Sequence, residues 1–190
     1  MNKNVLIIGN AGYMLNHELG HQIDSFNGEI VRFNIYLIKG FEKYVGTRCD
    51  YWFTDDISRK IRKHIVENIV FTGNRLNKHT KDLIEQLGTG ASWVGNEVVE
   101  NCKKQIGYHG PTSGVMAISY FLQKGYNVFI HGFDFFMNDD IIHYYQNLSK
   151  QETKKLLKEI RHYHSGEHEK KWVDDLAAGG MIKWLIQGDK

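Results

Sequence analysis

Residues 5–12 read Val5-Leu6-Ile7-Ile8-Gly9-Asn10-Ala11-Gly12. Four apolar residues in a row describe a strand covered on both faces, because a strand with one wet face would alternate. A buried strand that runs into a glycine-bearing turn is how α/β nucleotide-binding folds begin. Outward from this stretch, short apolar runs recur at 29–33, 51–54, 69–72, 128–132 and 182–186. Helical spacing between them predicts helices over 13–25, 57–67, 78–86, 97–104, 113–124, 151–161 and 168–178. The alternation predicts one α/β domain over residues 1–190: Rossmann-like, with a mostly parallel twisted sheet and helices on both faces. No internal repeat interrupts it. Ligands of open α/β sheets sit beyond the carboxyl ends of the strands, which singles out Gly9-Asn10, Asn34 and His131-Gly132-Phe133-Asp134.

Composition narrows the class. A chain of 190 residues with 42% hydrophobic residues and one proline can bury a core without a metal or disulfides to hold it. Its 24 basic and 22 acidic residues are mixed along the chain, too balanced for a nucleic-acid partner. The clearest local bias is at 150–171, where lysines alternate with glutamates. It reads as a solvated helix face, the sharper alternative being a rim that attracts an anionic substrate or a membrane surface, which admits peripheral membrane association. Cys49 and Cys102 lack CxxC spacing, so a reducing compartment is expected, with a single bridge between them left open. No apolar run approaches the roughly 20 residues of a membrane span. The expectation is a soluble, cytoplasmic protein.

His17-Glu18-Leu19-Gly20-His21 matches HExxH, in which two histidines one helical turn apart bind zinc beside a glutamate base. The longer HExxHxxGxxH pattern is absent, and the segment follows the first strand of a nucleotide-type fold. The competing reading is an amphipathic helix with Leu15, Leu19 and Ile23 inward and the histidines in solvent.

An ordered set of short motifs then appears: Gly9-Asn10, Gly20, Ile23-Asp24-Ser25, Arg32-Phe33-Asn34, Gly40-Phe41-Glu42 and Val45-Gly46-Thr47. Pro111-Thr112-Ser113-Gly114 with Gly132-Phe133 follows, then His143-Tyr144-Tyr145-Gln146, then His164 with Glu169. These segments resemble, in order, the large, small, third and last motifs of the eukaryotic-type sialyltransferases, glycosyltransferase family 29. The resemblance implies a short, soluble, bacterial or viral-like member with a variant GT-A-type fold. It leaves residues 74–108 unmatched. The animal members carry a disulfide between the large and small motifs; Val5 and Gly125 stand at those places here.

What the resemblance implies is metal-independent, inverting transfer of sialic acid, or a related acidic sugar such as Kdo, from a CMP-activated donor to a glycan hydroxyl. No cofactor is expected. Asn10, Asn34, Thr112, Ser113, Gly114 and Gly132 are the donor-binding candidates, with Gly9, Tyr144 and Glu169 in support. A glycine turn exposes N–H groups that can cradle phosphate, and Thr112 and Ser113 open a predicted helix whose N-terminus suits an anion. The same hydroxyls suit N-capping. The chain has no Asp-x-Asp triplet for a metal; Asp55-Asp56, Asp139-Asp140 and Asp174-Asp175 are adjacent pairs that suit caps or solvated positions.

Histidine suits both proton removal from the acceptor and stabilisation of the departing phosphate. The resemblance assigns these to His164 and His143. A register ambiguity remains, since His162 with Glu167 has the same spacing as His164 with Glu169. The residues three, four and seven places beyond Glu169 are Trp172, Val173 and Leu176, an apolar face, whereas Lys170 and Lys171 follow Glu167. That face selects His164. Tyr13, and Asp134 in place of a more usual glycine, depart from the family pattern. Two other functions stay open: a zinc hydrolase using His17 and His21, and a non-catalytic CMP-sugar-binding module. The sugar, acceptor and linkage are not legible.

Overall fold

The computed structural model describes residues 3–55, 66–73, 78–88, 90–108 and 110–186. Its strands are β1 (Asn4–Ile8), β2 (Glu29–Phe33), β3 (Tyr51–Thr54), β4 (Asn68–Phe71), β5 (Ala91–Trp93), β6 (Asn127–His131) and β7 (Ile182–Trp184). They form one sheet in the order β5-β4-β3-β2-β1-β6-β7, and every pairing is parallel.

The apolar run of β1 is explained by its place at the middle of that sheet. Leu6 stands beside Ile30 on one side and Phe129 on the other. Val5 and Ile7 enter a core with Val115, Ile118, Phe121 and Val173, while Leu6 and Ile8 enter the opposite one with Met14, Ile23 and Val45. Burying each such side chain contributes about 1.5–3 kcal/mol, so the central strand has no face to spare for polar residues.

The helices are α1 (Gly20–Asp24), α2 (Glu42–Val45), α3 (Lys78–Leu87), α4 (Asn96–Ile106), α5 (Ser113–Gln123), α6 (Lys150–Tyr163) and α7 (Gly166–Ala178). α4, α5 and α7 pack on the Val5 face, α1 and α2 on the Leu6 face. α6 is basic and exposed along most of its length, with Thr153 and Leu157 turned inward, and Ser149 and Glu152 form its capping box. Cys102 is buried in the first core and Cys49 packs against a third, around Trp52. Neither cysteine is in a disulfide, so the bridge left open by the sequence does not form. No described helix is long and apolar enough to cross a membrane.

Two expectations need correction. The helix expected over 13–25 is broken: a 3-10 turn covers Gly12–Asn16, His17 is extended, and α1 begins only at Gly20. Gly20 lies so close to the Glu42 carbonyl that any side chain there would collide with it, so the chain must bend to bring α1 against α2. Of the helix expected over 57–67, residues 57–65 lie outside the described residues, and Val66 and Glu67 are not helical. Asp56 also lies outside them. The sequence reading missed α2 and β5, which have four and three residues, too short to show a period.

Candidate functional site

From β1 the chain builds outward to β5, then returns to add β6 on the other side of β1. The β1–β6 boundary is therefore where the strand order reverses, and the loops leaving these two strands diverge to leave a crevice. Gly9 donates its N–H to His131 O at 2.8 Å, and Ala11 to Gly132 O at 3.0 Å, so the two loops are laced together at its floor. A Cβ on Gly9 would run into the Gly132 carbonyl. Gly132 turns at φ 78, where L side chains are strained, with the Met14 sulfur 2.6 Å from where a Cβ would stand.

The crevice is lined by Gly9, Asn10, Asn34, Thr112, Ser113, Gly114, Gly132, His143 and Glu169, with Phe133, Asp134, Phe135 and Phe136 as its wall. Nine of the eleven residues selected from sequence thus meet in one place. Tyr144 does not line it. That side chain is buried, its hydroxyl donates to Leu37 O at 2.7 Å and accepts from Leu37 N–H at 3.1 Å, and its own N–H reaches Asn10 O at 3.0 Å. Tyr144 braces the loops after β1 and β2 against each other from behind the cleft.

Asn34 adopts φ 42, uncommon for a non-glycine residue, and accepts from Asp55 N–H through Oδ1 at 3.0 Å. Asn10 donates through Nδ2 to Ile35 O at 3.2 Å, which leaves its Oδ1 as an acceptor. Thr112 is the N-cap of α5, accepting from Val115 N–H at 3.4 Å, and the Ser113 hydroxyl pairs with Thr72 at 2.8 Å. The capping role read from the sequence is present, and the same N-terminus faces the cleft.

Glu169 holds that N-terminus. It is 1% exposed, and its carboxylate accepts both the N–H and the hydroxyl of Thr112, at 2.7 and 2.8 Å. Burial pushes its carboxyl up to about 7, against the two Thr112 bonds that favour the charged form. Asp134 is also pushed up by burial, partly offset by the Phe136 N–H and the charge of Arg161. A carboxyl leaning towards neutrality repels an anionic ligand less than an ionised one would.

His143 stands at the cleft with Nδ1 3.0 Å from Gln146 Oε1, and its ring stacks on Tyr145 at 5.4 Å and meets Phe136 edge-on at 6.1 Å. An amide oxygen only accepts, so Nδ1 carries a proton. Gln146, within the quoted third motif but not singled out, therefore fixes the ring. His164 lies elsewhere. It closes α6 and lines a neighbouring cavity of about 450 Å³ with Tyr108, Arg161 and Ser165. Its Nδ1 is 2.6 Å from Gly110 O, a carbonyl, so the neutral ring keeps its lone pair on Nε2. His162 and Glu167 are exposed, whereas Glu169, Trp172 and Val173 are buried together. The apolar face read from the sequence is real.

The cleft itself holds about 110 Å³, less than the roughly 300–1,000 Å³ usual for small-molecule sites. It adjoins the His164 cavity and another of about 520 Å³ lined by Tyr13, His17 and Lys170, and Phe135 lines all three. Phe135 and Phe136 take φ 55 and 57, a conformation that costs of order 1–3 kcal/mol per residue and persists only where surroundings enforce it. Nothing in the sequence marked these two residues, because neither is a type that favours that conformation.

The HExxH segment does not form a zincin helix. His17 is an extended residue between two helical pieces, Glu18 pairs with Lys43 at 2.7 Å, and His21 is exposed on α1. The two imidazoles thus lack the shared helical face that zinc ligation through this motif requires. Leu15 and Leu19 pack against the core and Ile23 is buried in it, as the amphipathic reading expected, although on a broken helix.

Residues 3–84 match the family model of glycosyltransferase family 29 (sialyltransferase). A search of curated proteins finds no match. Among solved structures, the chain is similar to a mammalian sialyltransferase at 18% identity and TM-score 0.71, over 97% of this chain and 69% of that one. A mammalian sialyltransferase in complex with Gal-beta-1-3GalNAc-ortho-nitrophenol gives 17% and 0.73, with the same coverage. The sialyltransferase CstII from Campylobacter jejuni, in complex with the substrate analogue CMP-3FNeuAc, gives 18% and 0.64, over 96% of this chain and 80% of that one. At these identities the structural likeness concerns the fold.

Proposed function

We propose that this sialyltransferase-like glycosyltransferase uses a CMP-activated acidic sugar, sialic acid or a relative such as Kdo, and inverts the anomeric carbon on transfer to a glycan hydroxyl. The observation that carries this reading is the meeting, at one switch-point crevice, of Asn10, Asn34, the α5 N-terminus and His143. Its support from outside the chain is the family match over residues 3–84 and the sialyltransferase fold, one neighbour of which was solved with a CMP-sugar analogue.

The nucleotide phosphate sits against the N–H groups that open α5 and the loops at Gly9 and Gly132, where the helix dipole favours negative charge. Asn10 and Asn34 supply neutral hydrogen bonds to the nucleoside and sugar. The acceptor hydroxyl enters from the side of His164, whose Nε2 takes its proton as the new bond to the anomeric carbon forms. The bond from that carbon to the phosphate oxygen breaks, CMP departs, and His143 meets the charge that develops on it. A nucleoside monophosphate leaves well enough for hydrogen bonds to suffice, so no divalent metal is required.

The chain works as one catalytic unit in the cytoplasm, where both cysteines stay reduced. The test is incubation with several CMP-sugars in EDTA, measuring CMP release with and without candidate glycans. Acceptor-stimulated release under chelation is expected. Binding of CMP-sugars with no turnover on any acceptor would replace the enzyme by a binding module, and absence of binding would end the reading.

A further inference from the structure

We propose that Arg161 is a positioning residue. Its guanidinium holds the strained Phe135-Phe136 partition in the one conformation that sets His143 and His164 on either side of a common reaction path. The inference rests on the reading of these two imidazoles given above.

Phe135 lines both the cleft that holds His143 and the cavity that holds His164. It and Phe136 sit at φ 55 and 57, so this segment would relax if released. Met137 N–H donates to Asp134 O at 3.0 Å across the turn, and three further contacts hold it. Asp134 Oδ1 accepts the Phe136 N–H at 3.1 Å, which closes the turn from inside. Gly166, at the start of α7, lies so near the Phe135 carbonyl that a side chain there would collide with it. The third is Arg161, which donates Nε–H at 3.1 Å and Nη2–H at 2.6 Å to the Phe136 carbonyl, and Nη2–H at 2.8 Å to Asp139 Oδ1.

A guanidinium suits this task because two donors in one rigid plane grip a single carbonyl and fix its direction, which a lysine ammonium cannot do. The consequence reaches both imidazoles. Phe136 meets the His143 ring edge-on, so the carbonyl that Arg161 holds belongs to the residue that walls in one candidate group. Arg161 itself lies in the last turn of α6, three residues before His164, so the same side chain registers the other against that wall. The Arg161–Asp139 pair is largely exposed and would add little to stability by itself. Two hydrogen bonds from this arginine to a strained carbonyl between the candidate sites are thus better explained by alignment than by the ion pair.

The experiment compares wild type, Arg161→Met and Arg161→Lys. Turnover of the CMP-sugar should fall about 10- to 100-fold in Arg161→Met, the scale of a misaligned reacting group, with CMP affinity within about twofold of wild type. Arg161→Lys should lie between, and added guanidinium ion should restore part of the turnover of Arg161→Met. The His143 ring resonances in an NMR spectrum, assigned by their loss in His143→Asn, should move in Arg161→Met whether or not turnover is measured. Unchanged turnover with unmoved His143 resonances would overturn the proposal. So would a loss of turnover matched by an equal loss of CMP affinity and thermal stability without rescue. If the wild type turned over no CMP-sugar, the functional reading would fall, and the ring resonances alone would still decide the clamp.

Discussion

Thr112 gives both its N–H and its hydroxyl to the carboxylate of Glu169, across 57 positions of sequence. The pair fastens the N-terminus of α5, which faces the cleft, to the first turn of α7, which follows His164 by one short link. The two ends of the candidate machinery are therefore joined through one buried carboxyl.

That carboxyl makes stability depend on pH in a definite direction. Its native value, raised to about 7 by burial, lies above the 4.5 of an exposed glutamate. Between those values the native state keeps a proton that the unfolded chain has lost, so its contribution is full below about 4.5 and disappears as pH rises through 7. Wild type should lose several degrees of Tm between pH 5 and pH 8, and Glu169→Gln should flatten that slope. Equal slopes in the two proteins, read by thermal scans, would contradict this.

His164→Ala should lower kcat by about 100-fold or more, the usual scale for a lost general base, while leaving CMP affinity nearly intact. His162→Ala, on the exposed side of the same helix, should stay within about twofold of wild type, as its side chain does not line the cavity that holds His164. The reverse ranking in steady-state kinetics would show that the H-x4-E register begins at His162.

Gly9→Ala should destabilise the fold by about 2–3 kcal/mol, the cost of forcing a methyl group into a packed space. The obstacle is the Gly132 carbonyl, part of the backbone, which cannot swing aside as a side chain would. Denaturant melts should show the loss, and CMP binding should weaken with it because the crevice floor must spread.

Asp24 is a second sensitive carboxyl, of opposite sign. Burial raises it, but hydrogen bonds from Arg48 N–H and from the N–H and hydroxyl of Thr47 outweigh that and leave it below the usual value. Its contribution is present above about pH 3.8 and fades as pH falls through the lowered native value. Asp24→Ala should cost about 2 kcal/mol through orphaned donors and reduce sensitivity to acid, both visible in chemical denaturation at pH 7 and pH 3.

The Asp24–Thr47 contact also shows what the motif string contained. Asp24 and Thr47 were read as separate elements of one family resemblance, and they prove to bond each other. Arg32, from the same string, is 2% exposed and donates to Val45 O at 2.6 Å and Arg48 O at 2.7 Å. Much of that first motif is thus a bracket around the loop after α2, while Gly9, Asn10, Phe33 and Asn34 reach the cleft. Residue order could not separate brace from binder, because both kinds of position demand particular side chains.

Every described strand but β5, the later helices and the location of the crevice were legible because each rests on a local period or on the carboxyl end of a strand, which a short window of residues already specifies. The break at His17, the inward turn of Tyr144, the buried carboxyl of Glu169 and the strained Phe135-Phe136 wall were decided only in three dimensions. Each depends on a partner dozens of positions away or on a collision such as Gly20 against Glu42. Hydrogen-bond geometry and steric contact act over a few ångströms of space, and only the packed chain determines which distant residues lie within that reach.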